Sequence, residues 1–91
     1  MQSLTQSFAD RLFNLFVESQ LKFMAVLLRN DCKPSYNAQS RTLAIECDSE
    51  RLFRVLRSKA DRLVFPAILS DVKILLKVSE ANCIDLKSAA R

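Results

Sequence analysis

The residues of this chain best suited to chemistry are the cations between positions 51 and 62. Arg51, Arg54, Arg57, Lys59 and Arg62 crowd one short segment, against Glu50 and Asp61. On a helix, Arg51, Arg54, Ser58 and Arg62 follow steps of three and four residues and form one ridge. Guanidinium groups so spaced can meet phosphates along a nucleic-acid backbone, which positions a protein without reading sequence. The plainer alternative is a solvated face on which Glu50 and Asp61 pair locally. A sequence-specific reader would add exposed aromatics, and Tyr36 is the one stacking ring outside the apolar stripes. The formal net charge of +4 leans the same way, toward nucleic acid or another acidic partner, without choosing between them.

Other reactive groups are sparse. Cysteines stand at 32, 47 and 83, with no Cys-x-x-Cys pair, and the chain has no histidine. A four-ligand zinc site would need carboxylates or a second chain, so idle or buried thiols in a reducing compartment are expected, and no metal. Glu46 and Asp48 lie two apart at the end of an alternating segment, but Asp48 is placed to start a helix and no nucleophile accompanies them. Glycine is also absent, where average usage of about 7% would give roughly six residues. Phosphate loops, dinucleotide fingerprints and Gly-x-x-Gly clamps all need bare or positive-φ backbone, and each is excluded. No catalytic residue, cofactor or small-molecule substrate is assigned, and an enzyme is not expected.

The elements that would carry these groups begin with a helical pattern from residue 4 to about 29, uninterrupted by proline. One apolar stripe runs Phe13, Val17, Leu21, Met24, Leu28. A second runs Phe8, Leu12, Leu15, then Phe23 and Val26, broken by Ser19. The polar arc of Asp10, Arg11, Asn14, Glu18, Lys22 and Arg29 keeps only about a third of the circumference. A helix wet on so little of its surface must be covered on two sides. One side can cover a sheet of its own domain, and the other calls for a partner. Phe8, Leu12, Leu15, Phe23 and Val26 are therefore the candidate interface, for a second copy of the chain or a different protein. The alternative is that both stripes are covered within the monomer. A membrane-surface role fits poorly, because Asp10 and Glu18 share the polar arc with the cations.

After this helix, Asn, Asp, Pro and Ser punctuate residues 30–40, with a short edge strand expected near 33–36 and a turn at 37–40. Segment 41–47 alternates, with Leu43, Ile45 and Cys47 on one face, and reads as a half-buried strand. Asp48 and Ser49 then cap a second helix with Leu52, Phe53, Leu56, Ala60, Leu63, Val64 and Ala67 on its apolar side. Pro66 should stop it near residue 64, or kink it for one further turn. A strand over 72–78 buries Val72, Ile74, Leu76 and Val78. The expected fold is α+β, in the order helix, strand, strand, helix, strand: a three-stranded sheet with helices on one face. The whole of 1–91 reads as a single domain with residues 1–3 and 87–91 frayed. No basic n-region or long apolar run appears, so a cytoplasmic chain with no membrane span is expected.

The run Thr42-Leu-Ala-Ile-Glu-Cys-Asp-Ser-Glu-Arg-Leu-Phe-Arg-Val-Leu carries a resemblance. A strand leading directly into Asp-Ser and then a basic helix resembles the small KH-like domains of bacterial replication proteins. The DciA-type helicase-operator domain and the N-terminal domain of the initiator DnaA are similar to it in element order, over about residues 33–78. The resemblance implies an adaptor that contacts a replicative helicase or another partner, with DNA contact an added option and no catalytic residue. The departures are an aromatic that would fall near Leu52 or Phe53, where no Trp stands, and the missing Gly-x-x-Gly loop.

Overall fold

The computed structural model describes residues 4–89. It is an α+β fold with four helices and a mixed four-stranded sheet. Helix α1 (Leu4–Glu18) and helix α2 (Lys22–Asp31) precede a hairpin of β1 (Cys32–Asn37) and β2 (Thr42–Cys47). Helix α3 (Glu50–Ser58) and two short 3-10 turns, Ala60–Arg62 and Ala67–Leu69, lead to β3 (Lys73–Lys77). Strand β4 (Cys83–Asp85) and helix α4 (Leu86–Ala89) follow. The sheet order is β1-β2-β3-β4; β2 and β3 run parallel across the α3 crossover, and both outer pairs are antiparallel.

Alternation sorts the sheet into a covered and an open face. Cys32 and Tyr36, Leu43, Ile45 and Cys47, and Ile74 and Leu76 point toward the helices. Against them α1 buries Ala9, Leu12, Phe13, Phe16 and Val17, an i, i+3, i+4 stripe that fills one helix face. Leu52, Phe53 and Leu56 of α3 complete the same core. On the open face Lys33, Glu46, Lys77 and Cys83 stand in one register row, and Ser35, Ala44, Leu75 and Asp85 in the next. Small and polar residues there leave a shallow concavity of about 580 Å³.

The structure corrects several expectations about the elements. The first helix is not continuous. Ser19 and Gln20 donate their N–H groups to Phe16 and Val17, three residues back, and Leu21 turns to extended backbone (φ −59°, ψ 149°) before α2 starts. The second helix stops at Ser58 rather than near residue 64: the Lys59 N–H closes the last turn on the carbonyls of Val55, Leu56 and Arg57. The chain then crosses 63–66 without helix, because Pro66 at φ −60° and ψ 145° holds extended backbone there. The sheet gains a fourth strand, since Ile84 lies in register with Leu76 at the rim of the core. The third strand is shorter than the apolar alternation, covering Lys73–Lys77 with Val72 and Val78 only partly buried.

Helix α4 carries the described chain to Ala89. Leu86 is fully covered, Asp85 Oδ1 accepts the N–H groups of Lys87 and Ser88, and Lys87 Nζ donates to the carbonyls of Leu69 and Ser70 at 2.8 and 3.2 Å. The expectation of fraying at residues 1–3 and 90–91 falls outside the described residues.

Local chemistry explains the turns without glycine. Asn37 Oδ1 accepts from the N–H groups of Gln39 and Ser40 at 2.9 and 3.3 Å, which folds the hairpin loop. Arg41 closes it at φ 51°, a left-handed conformation that a Cβ disfavours. Ser49 Oγ accepts the Leu52 N–H at 3.1 Å and caps α3, as its position after the strand predicts.

Candidate protein-docking surface

Breaking the first helix redistributes its two stripes. Phe13, Val17, Met24 and Leu28 enter the core, but Leu21, placed in the elbow between α1 and α2, is 53% exposed. Of the residues assigned to an interface, Leu12 is a core residue at 7% exposure, and Leu15 is half-buried. Leu12 is thus withdrawn from any partner. It occupies the α1 stripe that faces the sheet; on a single straight helix Leu12 and Phe23 would share one side, and the break at residues 19–21 separates them. Phe8 is largely exposed and rests edge-on against Tyr36, ring centroids 4.9 Å apart. Phe23 and Val26 stand on the outward side of α2, each nearly half exposed.

A second segment comes up beside the elbow. Gln20 is buried, and its side-chain amide donates to the Val64 carbonyl at 2.7 Å while its Oε1 accepts the Val64 N–H at 2.9 Å. The same amide donates to the Phe16 carbonyl at 2.8 Å and so satisfies the end of α1. Phe65 stacks on Phe16 at 5.8 Å, which turns its neighbour Val64 outward, 49% exposed. Leu21, Phe23, Val26 and Val64 therefore form an apolar rise around one elbow. Lys59 lies over the Phe23 ring, its Nζ 5.7 Å from the centroid, and Lys22 and Arg29 are exposed on α2 itself. Neither Leu21 nor Val64 was assigned to this surface by sequence: both were read as members of buried stripes. The interruption of the second stripe at Ser19 was the one signal of the elbow.

The arginines divide differently from the expected ridge. Arg51, Arg54 and Arg57 are exposed on α3, but Arg62 has left it for the 3-10 turn at Ala60–Arg62. The ridge ends with the helix at Ser58. Arg54 is engaged with Glu50 at 3.2 Å, an exposed i, i+4 pair that trims the local positive field and adds little stability. Arg51 and Arg54 point away from the core, whereas Arg57, four residues after the buried Phe53, lies on the flank, the rotation of about 100° per residue deciding each.

On the core face of the sheet, Cys32 and Cys47 are buried, free and directly opposite in register, their sulfurs 3.9 Å apart. The hydrogen bond that Cys32 donates to Cys47 pushes the Cys32 thiol well above its ordinary range, and burial and the Asp31 and Asp48 carboxylates add to it. That same bond lowers Cys47, against the opposing effect of burial. Among the described residues, no group of three or more His, Cys, Asp or Glu comes together to hold a metal ion, and no helix is long and apolar enough to cross a membrane. Comparison with models of protein families, with curated proteins and with solved structures finds no match to the chain.

Proposed function

We propose that the chain is a non-catalytic adaptor that docks a protein partner on the α1–α2 elbow, through Leu21, Phe23, Val26 and Val64. The observation that carries this reading is that four large aliphatic or aromatic side chains, each about half exposed, lie on the α1–α2 elbow and on the segment that the Gln20–Val64 clasp fastens beside it. Apolar groups gathered in this way lose water on association, and a central aromatic such as Phe23 commonly supplies the anchor. Lys22, Arg29 and Lys59 around the patch favour a partner segment with an apolar stripe and acidic flanks. A second copy of this chain, itself at net +4, would bring like charges together. The resemblance to KH-like domains of bacterial replication proteins supports an adaptor too, and brings no catalytic residue with it.

The test compares the wild-type chain with Phe23→Asp/Val26→Asp in affinity capture after mild crosslinking, followed by binding measurements on the captured protein once purified. The reading expects at least a tenfold loss of affinity in the double variant, with circular dichroism unchanged. Equal binding by a folded variant would overturn it. Light scattering at low and high salt decides the self-association alternative: a wild-type dimer that the variant abolishes would replace the heterologous partner by a second copy. Nucleic-acid binding through α3 makes a different forecast, steep weakening with salt and loss in Arg51→Glu/Arg54→Glu.

A further inference from the structure

We propose that Cys32 and Cys47 form a reversible disulfide across the β1–β2 pair when the folded chain meets a peroxide. The two residues are Cα partners at the root of the hairpin, and their sulfurs already lie 3.9 Å apart. The bond from the Asp48 N–H to the Asp31 carbonyl sets the alternation of the ladder, so the Cys32–Cys47 pair falls at a position without its own ladder bonds. Such pairs bring opposed Cβ atoms closest, to about 4.5–5.5 Å, near the separation of about 3.5–4.5 Å that a disulfide spans. Closing the gap to a sulfur–sulfur bond of about 2.05 Å then takes side-chain rotation and little backbone movement.

Both thiols are less than a tenth exposed, which favours a small oxidant over a bulky disulfide. Cys47, which accepts the hydrogen bond from Cys32, is the sulfur that gives up its proton more readily of the two and attacks as its thiolate. It attacks one oxygen of hydrogen peroxide; the O–O bond breaks, hydroxide leaves, and Cys47 becomes a sulfenic acid. Cys32 then attacks the Cys47 sulfur, its proton goes to the departing hydroxyl, and water leaves as the sulfur–sulfur bond forms. In sum two thiols and one peroxide give one disulfide and two waters, the thiols losing two electrons to the peroxide. Cys83 cannot substitute for either. It sits on the opposite face of the sheet, in register with Lys77 and exposed. The bond would join the residue just after α2 to the strand end from which the α3 cap begins.

The experiment uses the full chain carrying Cys83→Ser, so that only the buried pair can react. Folded protein is treated with hydrogen peroxide, quenched with catalase, denatured and alkylated, and its intact mass is read. The expected major product is a monomer lacking two hydrogens and carrying no alkyl label, with both labels recovered after dithiothreitol. Peptide mapping should join Cys32 to Cys47. Two labels retained, a Cys47 that stops at oxygen addition, or disulfide-linked dimers as the major product would each overturn the proposal. Cys32→Ala and Cys47→Ala in the same background should abolish the product, while the unsubstituted pair decides the question if either variant fails to fold.

Discussion

The side-chain amide of Gln20 and the backbone of Val64 are joined by two hydrogen bonds, one in each direction, across 44 positions of sequence. A neutral amide is the one group that can both donate and accept in this plane. It does for the elbow what an extra strand residue would do for a ladder, satisfying a backbone N–H and C=O that no element supplies with partners. The elbow, and the apolar patch on it, depend on that clasp.

Replacing Gln20 by Ala strips partners from a partly buried carbonyl and N–H at once. The expected loss is about 2–4 kcal/mol, from two unsatisfied groups at about 1–2 kcal/mol each. Gln20→Glu keeps the acceptor but turns a carboxylate oxygen onto the Phe16 and Val64 carbonyls at a buried position, so its loss at neutral pH should be at least that of Ala in urea unfolding. Equal stability of all three chains would show that the clasp contributes nothing.

Core and surface on the first two helices separate in a pair of substitutions. Leu12→Asp places a charge where the side chain is almost fully covered, and loss of cooperative folding is expected. Val26→Asp sits on the outward side of α2 and should change stability by no more than about 0.5 kcal/mol. Thermal melts followed by circular dichroism read both; a collapse of the Val26 variant would place that residue in a core.

Arg41 is held at φ 51° with a full side chain. Asn tolerates this region and should match or slightly exceed the wild type. Val, branched at Cβ, should cost about 1–2 kcal/mol. Denaturant midpoints for the two variants, at unchanged m-values, give the comparison.

The Cys32–Cys47 pair predicts a pH dependence of stability. In the folded chain Cys32 holds its proton above its ordinary value near 9, while the unfolded chain releases both thiol protons there. A raised folded pKa means that the contribution is fully present below about pH 9 and declines as pH rises beyond it. With one more proton bound in the folded state, the slope is about 1.4 kcal/mol per pH unit. Cys47, lowered in the folded chain, contributes with the opposite sign below that point, so urea unfolding from pH 7 to 10 under reductant should show stability rising toward about pH 9 and declining beyond it, and Cys32→Ala/Cys47→Ala should lack both components. Parallel alkaline slopes in the two chains would remove the thiols from the account.

Much of the fold was legible because it is written at short range. The alternation of Leu43, Ile45 and Cys47, the cap at Ser49 and the turn at Asn37 each follow from neighbours a few residues away. Strand β4 was not legible, since three residues carry too little pattern, and its pairing with β3 arises from the register of Ile84 against Leu76. The end of α3 was missed for a related reason. Ala60 and Leu63 continue the helical spacing and are buried, yet they reach the core from a 3-10 turn and the extended residue after it.

Residue order alone makes this an α+β chain without the glycine loops or histidines that most phosphate and metal chemistry uses, with a helix capped at Ser49 and a cationic α3. Local periodicity and capping carry that information, because their energies come from residues within one or two turns. Only the tertiary structure decided that the first helical pattern is two helices. Neither proline nor glycine stops it; Ser19 Oγ donates to the Leu15 carbonyl, and the Gln20 side chain reaches the backbone of Val64, bonds that stand in for the helical ones the break gives up. The break leaves Leu21 and Val64 exposed, as Phe23 and Val26 are, while Leu12 joins the core, and pairing of β1 with β2 set two cysteines fifteen residues apart at 3.9 Å.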